Sequence, residues 1–228
     1  MDDNLMNDPE LLGEFAERIA PLGRVWGGQS TLEIADDPAL LRVLSDSGFG
    51  WTFVGLESFS TASLRREGKG FNRVERYRDQ VSRLRRAGIV PFAGVIVGLD
   101  GDGPGVFAHT EAALRRVAPA AVAFTVPVAY PGTRFHRQME DEGRILGRDL
   151  ERYDGHHVVL RPLGMGVDEL ERGYHRLARS FYGWGPALGR LARQLRARPT
   201  LGRTRTSVSY VAITRGYRQF HTRLAAEG

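Results

Sequence analysis

The sequence contains no cysteine in 228 residues. This absence excludes disulfide bonds, thiolate nucleophiles and thiolate metal ligands within the chain. No apolar run approaches the roughly 18 residues that a membrane-spanning helix needs, and no charged and then apolar leader precedes the first helical pattern. These features favour a soluble cytoplasmic protein without a membrane span.

Lysine is almost as scarce, because Lys69 is the only one although lysine and arginine together number 32. The net charge of +5 is unevenly distributed, since the segment 185–228 has nine arginines and a single acid. Such a basic tail could indicate binding to nucleic acid or to an anionic membrane surface. It lacks an aromatic-interleaved basic pattern and any known nucleic-acid motif, so we expect no nucleic-acid partner.

The remaining sequence alternates strand and helix patterns, as parallel α/β proteins do. Aspartate–proline pairs at Asp8 and Asp37 predict the starts of two helices. Apolar runs predict four strands, and each is followed by a helix or a loop, at 24–30, 51–56, 89–99 and 120–128. Beyond them the pattern changes to a helix, a strand and a helix, predicted at 134–142, 153–160 and 167–182. We also predict a helix at 188–195, a linker at 199–209 and a last helix at 210–224.

Polar residues lie where predicted strands end, which is the edge that binds ligands in parallel α/β barrels. These residues are Asp2, Asp3, Asn4, Gln29, Glu57, Ser58, Asp100 and Asp102. Carboxylates at this edge can accept hydrogen bonds from an ammonium group and from ribose hydroxyls, and Gly94 and Gly98 let the backbone approach an adenine.

Each of these residues also has a purely structural interpretation. A strand-terminal Asp or Ser often caps the next helix, and Gln29 can bond to neighbouring backbone. Glu57 is the strongest ligand candidate, because it follows an apolar run and has no helix to cap. The pair His156 and His157 could suggest a metal site, but adjacent strand residues face opposite sides, and ordinary packing is the favoured interpretation.

Several short segments carry a family resemblance through their order and spacing. They are Trp26-x-x-Gln29, Val54-Gly55-Leu56-Glu57-Ser58, Lys69-x-x-Asn72, Gly94-Val95-Ile96-Val97-Gly98-Leu99-Asp100, Pro131-Gly132-Thr133 and Tyr153-Asp154-x-x-His157. Over residues 2–182 the chain resembles the radical S-adenosylmethionine superfamily, and in detail its cobalamin-binding-domain subgroup.

The resemblance implies a partial TIM-like (β/α)6 barrel over residues 1–133 that holds strands 2 to 6 and lacks the first βα unit. A C-terminal extension at 134–184 and a basic helical tail at 185–228 follow it. The family cleaves S-adenosylmethionine at a four-iron four-sulfur cluster, which starts radical chemistry such as methyl transfer to a small-molecule metabolite.

The same resemblance implies roles for individual residues. Asp2, Asp3 and Asn4 match a motif near the amino group of S-adenosylmethionine. Glu57 and Ser58 match residues at its ribose or carboxylate end, and Gln29 faces the same mouth. Near adenine lie Gly94, Ile96, Gly98 and Pro131.

The cysteine loop and the cobalamin domain of that family have no counterpart in this sequence. We therefore expect no cluster, no cobalamin, no catalytic residue and no metal ligand in this chain. We expect it to be inactive and poorly soluble alone, with one exposed sheet edge, unless an N-terminal half is supplied in cis or in trans. The alternative is a degenerate or split barrel that binds S-adenosylmethionine or a partner without catalysis.

Overall fold

The computed structural model describes residues 4–197 and the single positions 215, 216 and 219. Four strands form one parallel sheet in the order β1-β2-β3-β4. The strands are β1 (Trp26–Ser30), β2 (Phe49–Glu57), β3 (Val90–Ile96) and β4 (Ala121–Thr125). All four lie at the predicted places, so the prediction of a parallel α/β fold is confirmed.

Eight α-helices accompany the sheet within residues 4–197, and the described positions 215, 216 and 219 are also helical. They are α1 (Pro9–Ile19), α2 (Pro38–Asp46), α3 (Thr61–Arg66), α4 (Tyr77–Arg86), α5 (Val106–Val117), α6 (Arg134–Asp141), α7 (Val167–Phe181) and α8 (Trp184–Ala197). Short 3-10 helices lie at Leu5–Asn7, Ala20–Leu22, Leu32–Asp36, Val74–Arg76 and Leu150–Arg152. None of the described helices is long and apolar enough to cross a membrane.

Both aspartate–proline pairs start helices as predicted. The Asp8 carboxylate accepts a hydrogen bond from the backbone N–H of Leu11, and Pro9 occupies the first turn of α1. The Asp37 carboxylate accepts from the N–H groups of Ala39 and Leu40 at the start of α2. These caps satisfy amide groups that have no partner inside the helix.

One face of the sheet is fully buried under helices. Thr52, Val54 and Leu56 of β2 alternate with half-exposed neighbours, which is the two-residue period of a strand with one covered face. Val54, Leu56 and the buried apolar side chains of β3 and β4 join a single core cluster with residues of α1, α2, α4, α5 and α7. Each large apolar side chain buried in this way stabilises the fold by about 1.5–3 kcal/mol.

The opposite face of the sheet is only half-buried along β2 and β3. Trp51 is 39% exposed, and its ring lies over Gly27, where a Cβ atom would come within 2.5 Å of the indole. Trp51 also contacts Phe92 edge to face, with ring centroids 6.1 Å apart. Gly94 on the same face leaves room for the ring of Phe53.

The open sheet corrects the prediction of a partial (β/α)6 barrel. In the described residues the sheet has four strands, β1 and β4 are its two edges, and no further strand precedes β1. Asn4 does not end a strand, because its side chain caps a 3-10 helix by accepting from the N–H of Met6 at 3.1 Å. Asp2 and Asp3 lie outside the described residues.

The segment after β4 also departs from its prediction. Residues 153–160 form no strand, and a single antiparallel bridge joins Ile145 to Leu160. The helices predicted at 134–142, 167–182 and 188–195 are confirmed as α6, α7 and α8. The predicted linker at 199–209 lies outside the described residues. Of the helix predicted at 210–224, only positions 215, 216 and 219 are described.

Tyrosines of the returning chain cover the β4 edge. The Tyr182 hydroxyl donates to the carbonyl of Val122 at 2.7 Å and accepts from its N–H at 3.0 Å. The Tyr174 hydroxyl donates to the carbonyl of Phe124 at 3.2 Å. These contacts satisfy backbone groups that an edge strand otherwise presents to other chains.

Candidate functional site

The carboxyl ends of the four strands meet at one edge of the sheet, because all strands are parallel. In register, Glu57 of β2 lies beside Val95 of β3, and Ile96 lies beside Thr125 of β4. This edge is where open parallel sheets bind their ligands. It contains Glu57, the strongest ligand candidate of the sequence.

Glu57 adopts a strained backbone conformation at the end of β2. Its φ is +63°, a region that residues other than glycine rarely adopt. The N–H of Ser58 donates to the carbonyl of Leu56 at 2.8 Å, which makes Glu57 the central residue of a three-residue γ-turn. Conformations of this kind cost about 1–3 kcal/mol and persist where the surroundings enforce them.

Neighbouring side chains enforce the turn from several directions. Tyr77 donates from its hydroxyl to the carbonyl of Leu56 at 2.7 Å, and Asn72 donates from its amide to the carbonyl of Gly55 at 3.2 Å. Burial raises the pKa of the Tyr77 hydroxyl, and the charge of Glu57 adds to that effect, so the hydroxyl stays protonated as a donor. The turn is therefore held by hydrogen bonds to its backbone.

The Glu57 carboxylate lies over the half-exposed sheet face. A Cβ atom on Gly55 would come within 2.6 Å of its Oε1 atom, so glycine is needed for this side-chain position. Lys69 places its Nζ atom 2.6 Å from the same Oε1 atom. The two side chains are 21% and 37% exposed, and half-exposed pairs like this one contribute little to stability.

A buried aspartate fixes the loop between β3 and α5. One Asp102 carboxylate oxygen accepts from the N–H groups of Gly98 and Leu99 at 3.0 and 3.1 Å. The other accepts from the Ser63 hydroxyl at 2.8 Å. Gly98 takes a φ of +89°, so the loop requires glycine there. Burial raises the pKa of Asp102, although these hydrogen bonds act in the opposite direction.

A cavity of about 160 Å³ lies beside the ends of β3 and β4. Its mainly apolar lining includes Ile96, Gly98, Val126, Val128, Val158 and Leu160. Pockets that enclose a whole small molecule start at roughly 300 Å³. The cavity therefore suits one flat part of a ligand, with the rest extending along the sheet edge.

An ion pair forms one wall of this cavity. The Arg144 guanidinium contacts both carboxylate oxygens of Asp100, at 2.6 and 2.8 Å, and its Nε donates to the carbonyl of Arg161 at 2.9 Å. Hydrogen bonding to Asp100 raises the pKa of Arg144. Burial, followed by the charge of Asp100, raises the pKa of the Glu67 carboxyl at the same cavity. The pair ties the chain after α6 to the loop after β3.

The other predicted site residues divide into two groups. Ile96 and Gly98 line the cavity, and Gly94 lies under the Phe53 ring on the half-exposed face. Gln29 is exposed one residue before the end of the edge strand β1, where it pairs with Phe53 of β2.

The second group has structural roles or lies away from the cavity. The Asn4 side chain accepts from the N–H of Thr31 at 3.2 Å, which places it at the end of β1. Ser58 is buried, and its hydroxyl accepts from the N–H of Ser60. Pro131 is exposed in the turn before α6 and does not line the cavity.

The histidine pair lies in a turn rather than in a strand. The Asp154 carboxylate accepts from the N–H groups of both His156 and His157. His156 contacts the Tyr174 hydroxyl through Nδ1 at 2.6 Å, and burial lowers its pKa. No group of three or more His, Asp and Glu in the described part of the chain could hold a metal ion. The packing interpretation of the pair is the one that these contacts support.

Comparison with known proteins finds relatives that are named methyltransferases. No family model matches the chain. Over 182 residues it is 28% identical to the bacteriochlorophyllide d C-12(1)-methyltransferase of Chlorobaculum tepidum. The matched segment makes up 80% of this chain and 40% of that protein. It is 23% identical over 164 residues to the C-8(2)-methyltransferase of the same organism, and these cover 70% of this chain and 36% of that protein. An uncharacterised methyltransferase of Synechocystis is 27% identical over 118 residues, covering 52% of this chain and 22% of that protein. The chain thus spans 40% or less of the length of these relatives.

These relatives correct the identification with the cobalamin-binding radical S-adenosylmethionine subgroup. Their names describe methyltransferases, and neither radical cleavage, an iron–sulfur cluster nor cobalamin has support among them. The relatives also give no support to the expectation that an N-terminal half is supplied to this chain in cis or in trans. The division into three parts and the cytoplasmic location stay predictions.

The strain at Glu57 leads to an expected result for its replacement by glycine. We expect Glu57→Gly to unfold at the same urea concentration as the wild type or at a higher one. Glycine adopts a positive φ at no steric cost, and this gain of about 1–3 kcal/mol offsets the lost ion pair and the greater entropy of the unfolded chain.

The matched variant is Glu57→Ala, which loses the same carboxylate but keeps a Cβ atom at a positive φ. We expect it to be less stable than Glu57→Gly by about 1 kcal/mol or more. Equal stability of the two variants in urea titrations would show that the turn is not strained.

Proposed function

We propose that this chain belongs to an S-adenosylmethionine-dependent methyltransferase and that the carboxyl edge of its sheet binds the methyl donor. The observation that carries the proposal is the strained Glu57 carboxylate at the end of β2, at the same sheet edge as the cavity that Ile96 and Gly98 line after β3. Strained residues enforced by their surroundings cluster at ligand sites. The methyltransferase relatives support the same class of reaction.

The residues at the edge fit the chemical groups of S-adenosylmethionine. The Glu57 carboxylate can accept hydrogen bonds from an ammonium group or from ribose hydroxyls. The cavity beside Ile96 offers a mainly apolar space for an adenine, and Gly98 allows close approach of the backbone. When bound, S-adenosylmethionine supplies the methyl group that is transferred.

This chain's own part in the reaction is binding and positioning. Glu57 and the cavity would orient the donor along the strand ends, and Asp102 keeps the loop of Gly98 in place through its backbone N–H contacts. The proposed methyl acceptor is a small molecule. Bacteriochlorophyllide d is the acceptor named for two of the relatives.

Equilibrium dialysis with radiolabelled S-adenosylmethionine tests the proposal. We expect the full chain to bind it and S-adenosylhomocysteine to compete. Glu57→Gln should weaken binding by roughly tenfold to a hundredfold, the value of a hydrogen bond to a charged group.

Glu111→Gln is the matched control. Glu111 is also a carboxylate in a 2.6 Å ion pair, with Arg115 on α5, and it does not line the cavity beside Ile96. We expect Glu111→Gln to bind S-adenosylmethionine as tightly as the wild type does. No binding by the folded wild type, or equal binding by Glu57→Gln and the wild type, would contradict the proposal.

A further inference from the structure

The single lysine of the chain lies at the candidate site. The other 31 of its 32 lysine and arginine residues are arginines, yet the residue 2.6 Å from Glu57 is Lys69. Lysine differs from arginine in having a compact ammonium group on a flexible four-carbon stem, whereas arginine presents a rigid planar fork. A site that needs a small cation able to change partners favours lysine.

The loop around Lys69 holds its backbone through hydrogen bonds, while its side chain is partly exposed to solvent. The N–H of Lys69 donates to the carbonyl of Leu64 at 2.8 Å, and the N–H of Asn72 donates to the carbonyl of Lys69 at 3.0 Å. Asn72 in turn fixes the loop to β2 through Gly55. The Lys69 side chain is 37% exposed, so its Nζ atom can swing without a change of backbone.

The ion pair also poses an electrostatic problem for the proposed ligand. The ammonium of an amino acid that approaches Glu57 is repelled by the Lys69 ammonium on the Oε1 atom, because like charges repel. An amino acid group has a carboxylate next to its ammonium. It can therefore replace one ion pair with two, in which Glu57 holds the ammonium and Lys69 the carboxylate.

We propose that Lys69 exchanges partners when the ligand binds and that its ammonium receives the α-carboxylate of S-adenosylmethionine. This inference rests on the proposed function. It makes Lys69 a residue that distinguishes ligands with an α-carboxylate from those without one. Lys69→Arg keeps the charge but not the compact geometry, so it should retain the preference for ligands with an α-carboxylate only in part.

Binding of two ligands to two proteins tests the exchange. The ligands are S-adenosylmethionine and decarboxylated S-adenosylmethionine, which keeps the amine and loses the carboxylate. We expect the wild type to prefer S-adenosylmethionine by roughly tenfold or more, as a charged hydrogen bond supplies. In Lys69→Met the preference should fall to within about twofold, while the decarboxylated ligand binds at least as well as to the wild type. The control Arg115→Met removes the cation of a different 2.6 Å ion pair, the one with Glu111, and should keep the full preference.

Each outcome separates this inference from the proposed function. If Lys69→Met still prefers S-adenosylmethionine, the carboxylate contact is wrong and the proposed donor site stands. Equal weakening of both ligands would show that Lys69 only supports Glu57, which also overturns the exchange. If the wild type binds neither ligand, both proposals are wrong.

The single lysine allows a direct second measurement. Reductive methylation with ¹³C-formaldehyde labels Lys69 and the chain's α-amino group, and Lys69→Arg identifies the Lys69 signal. We expect that signal to shift on saturation with S-adenosylmethionine and to shift differently with the decarboxylated ligand. Identical shifts with both ligands would overturn the carboxylate contact.

Discussion

Replacing Asp102 by alanine is expected to lower the free energy of unfolding by about 3 kcal/mol, measured in urea. The variant leaves the N–H groups of Gly98 and Leu99 without their acceptor, whereas the Ser63 hydroxyl keeps Ser60 Oγ as an acceptor at 3.0 Å. Each buried group left unsatisfied costs about 1–3 kcal/mol. Gly98 and Leu99 are buried, so water cannot readily replace the carboxylate.

Asp102→Asn is the matched control for that loss. Its amide oxygen can accept from both backbone N–H groups, and its amide nitrogen can donate to the Ser63 hydroxyl oxygen. We expect its stability to lie within about 1 kcal/mol of the wild type, because no buried group is left without a partner. Equal losses for the alanine and asparagine variants would contradict the assigned hydrogen bonds.

The wild type and Asp102→Asn should also differ in how their free energy of unfolding depends on pH, and the pKa of Asp102 fixes the sign of that difference. Burial raises the pKa of Asp102 in the folded state above its ordinary value of 3.8. The folded state then binds the proton more tightly than the unfolded state does, so this contribution to stability is fully present below pH 3.8. It is lost as the pH rises through the raised pKa. The wild type should therefore lose stability relative to Asp102→Asn over that range, and a gain would contradict the raised pKa.

Gly173→Ala is expected to destabilise the protein by about 1–2 kcal/mol. A Cβ atom at Gly173 in α7 would come within 2.2 Å of the Phe107 ring, which is buried in the core between α5 and α7. Overpacking of this kind typically costs about 1–3 kcal/mol and here outweighs the gain of about 1 kcal/mol in helix propensity. Chemical denaturation measures the loss.

Two further variants test the cause of that loss. Gly173→Ala combined with Phe107→Leu should be more stable than the sum of the two single changes predicts, because the smaller side chain makes room for the methyl group. Gly189→Ala in α8 has open space around the new Cβ atom and should not destabilise. Strict additivity of the first pair would exclude the clash with Phe107.

The parallel α/β core was predictable because its signals are local. The strands around Val54 and Val95 have continuous apolar runs, and the helices after Asp8 and Asp37 have both a capping carboxylate and a proline. The strand predicted at 153–160 failed for a local reason as well. The Asp154 carboxylate accepts hydrogen bonds from the N–H groups of His156 and His157. These bonds form a turn that competes with a strand.

The candidate site was predictable only in part. Glu57 stands out in the sequence as a carboxylate after an apolar run, but its positive φ does not show in the residue type. Its partner Lys69 is 12 residues away, and Arg144 is 44 residues from Asp100, so both contacts depend on the assembled fold. The scarcity of lysine and the segment Lys69-x-x-Asn72 drew attention to Lys69, but neither predicts its contact with Glu57.

The most direct test of the central claim is a crystal structure of the full chain with S-adenosylhomocysteine. The account predicts ligand density along the carboxyl edge of the sheet, with the amino group or ribose against Glu57 and the adenine in the cavity beside Ile96. Density for the ligand at any other place on the molecule would contradict it.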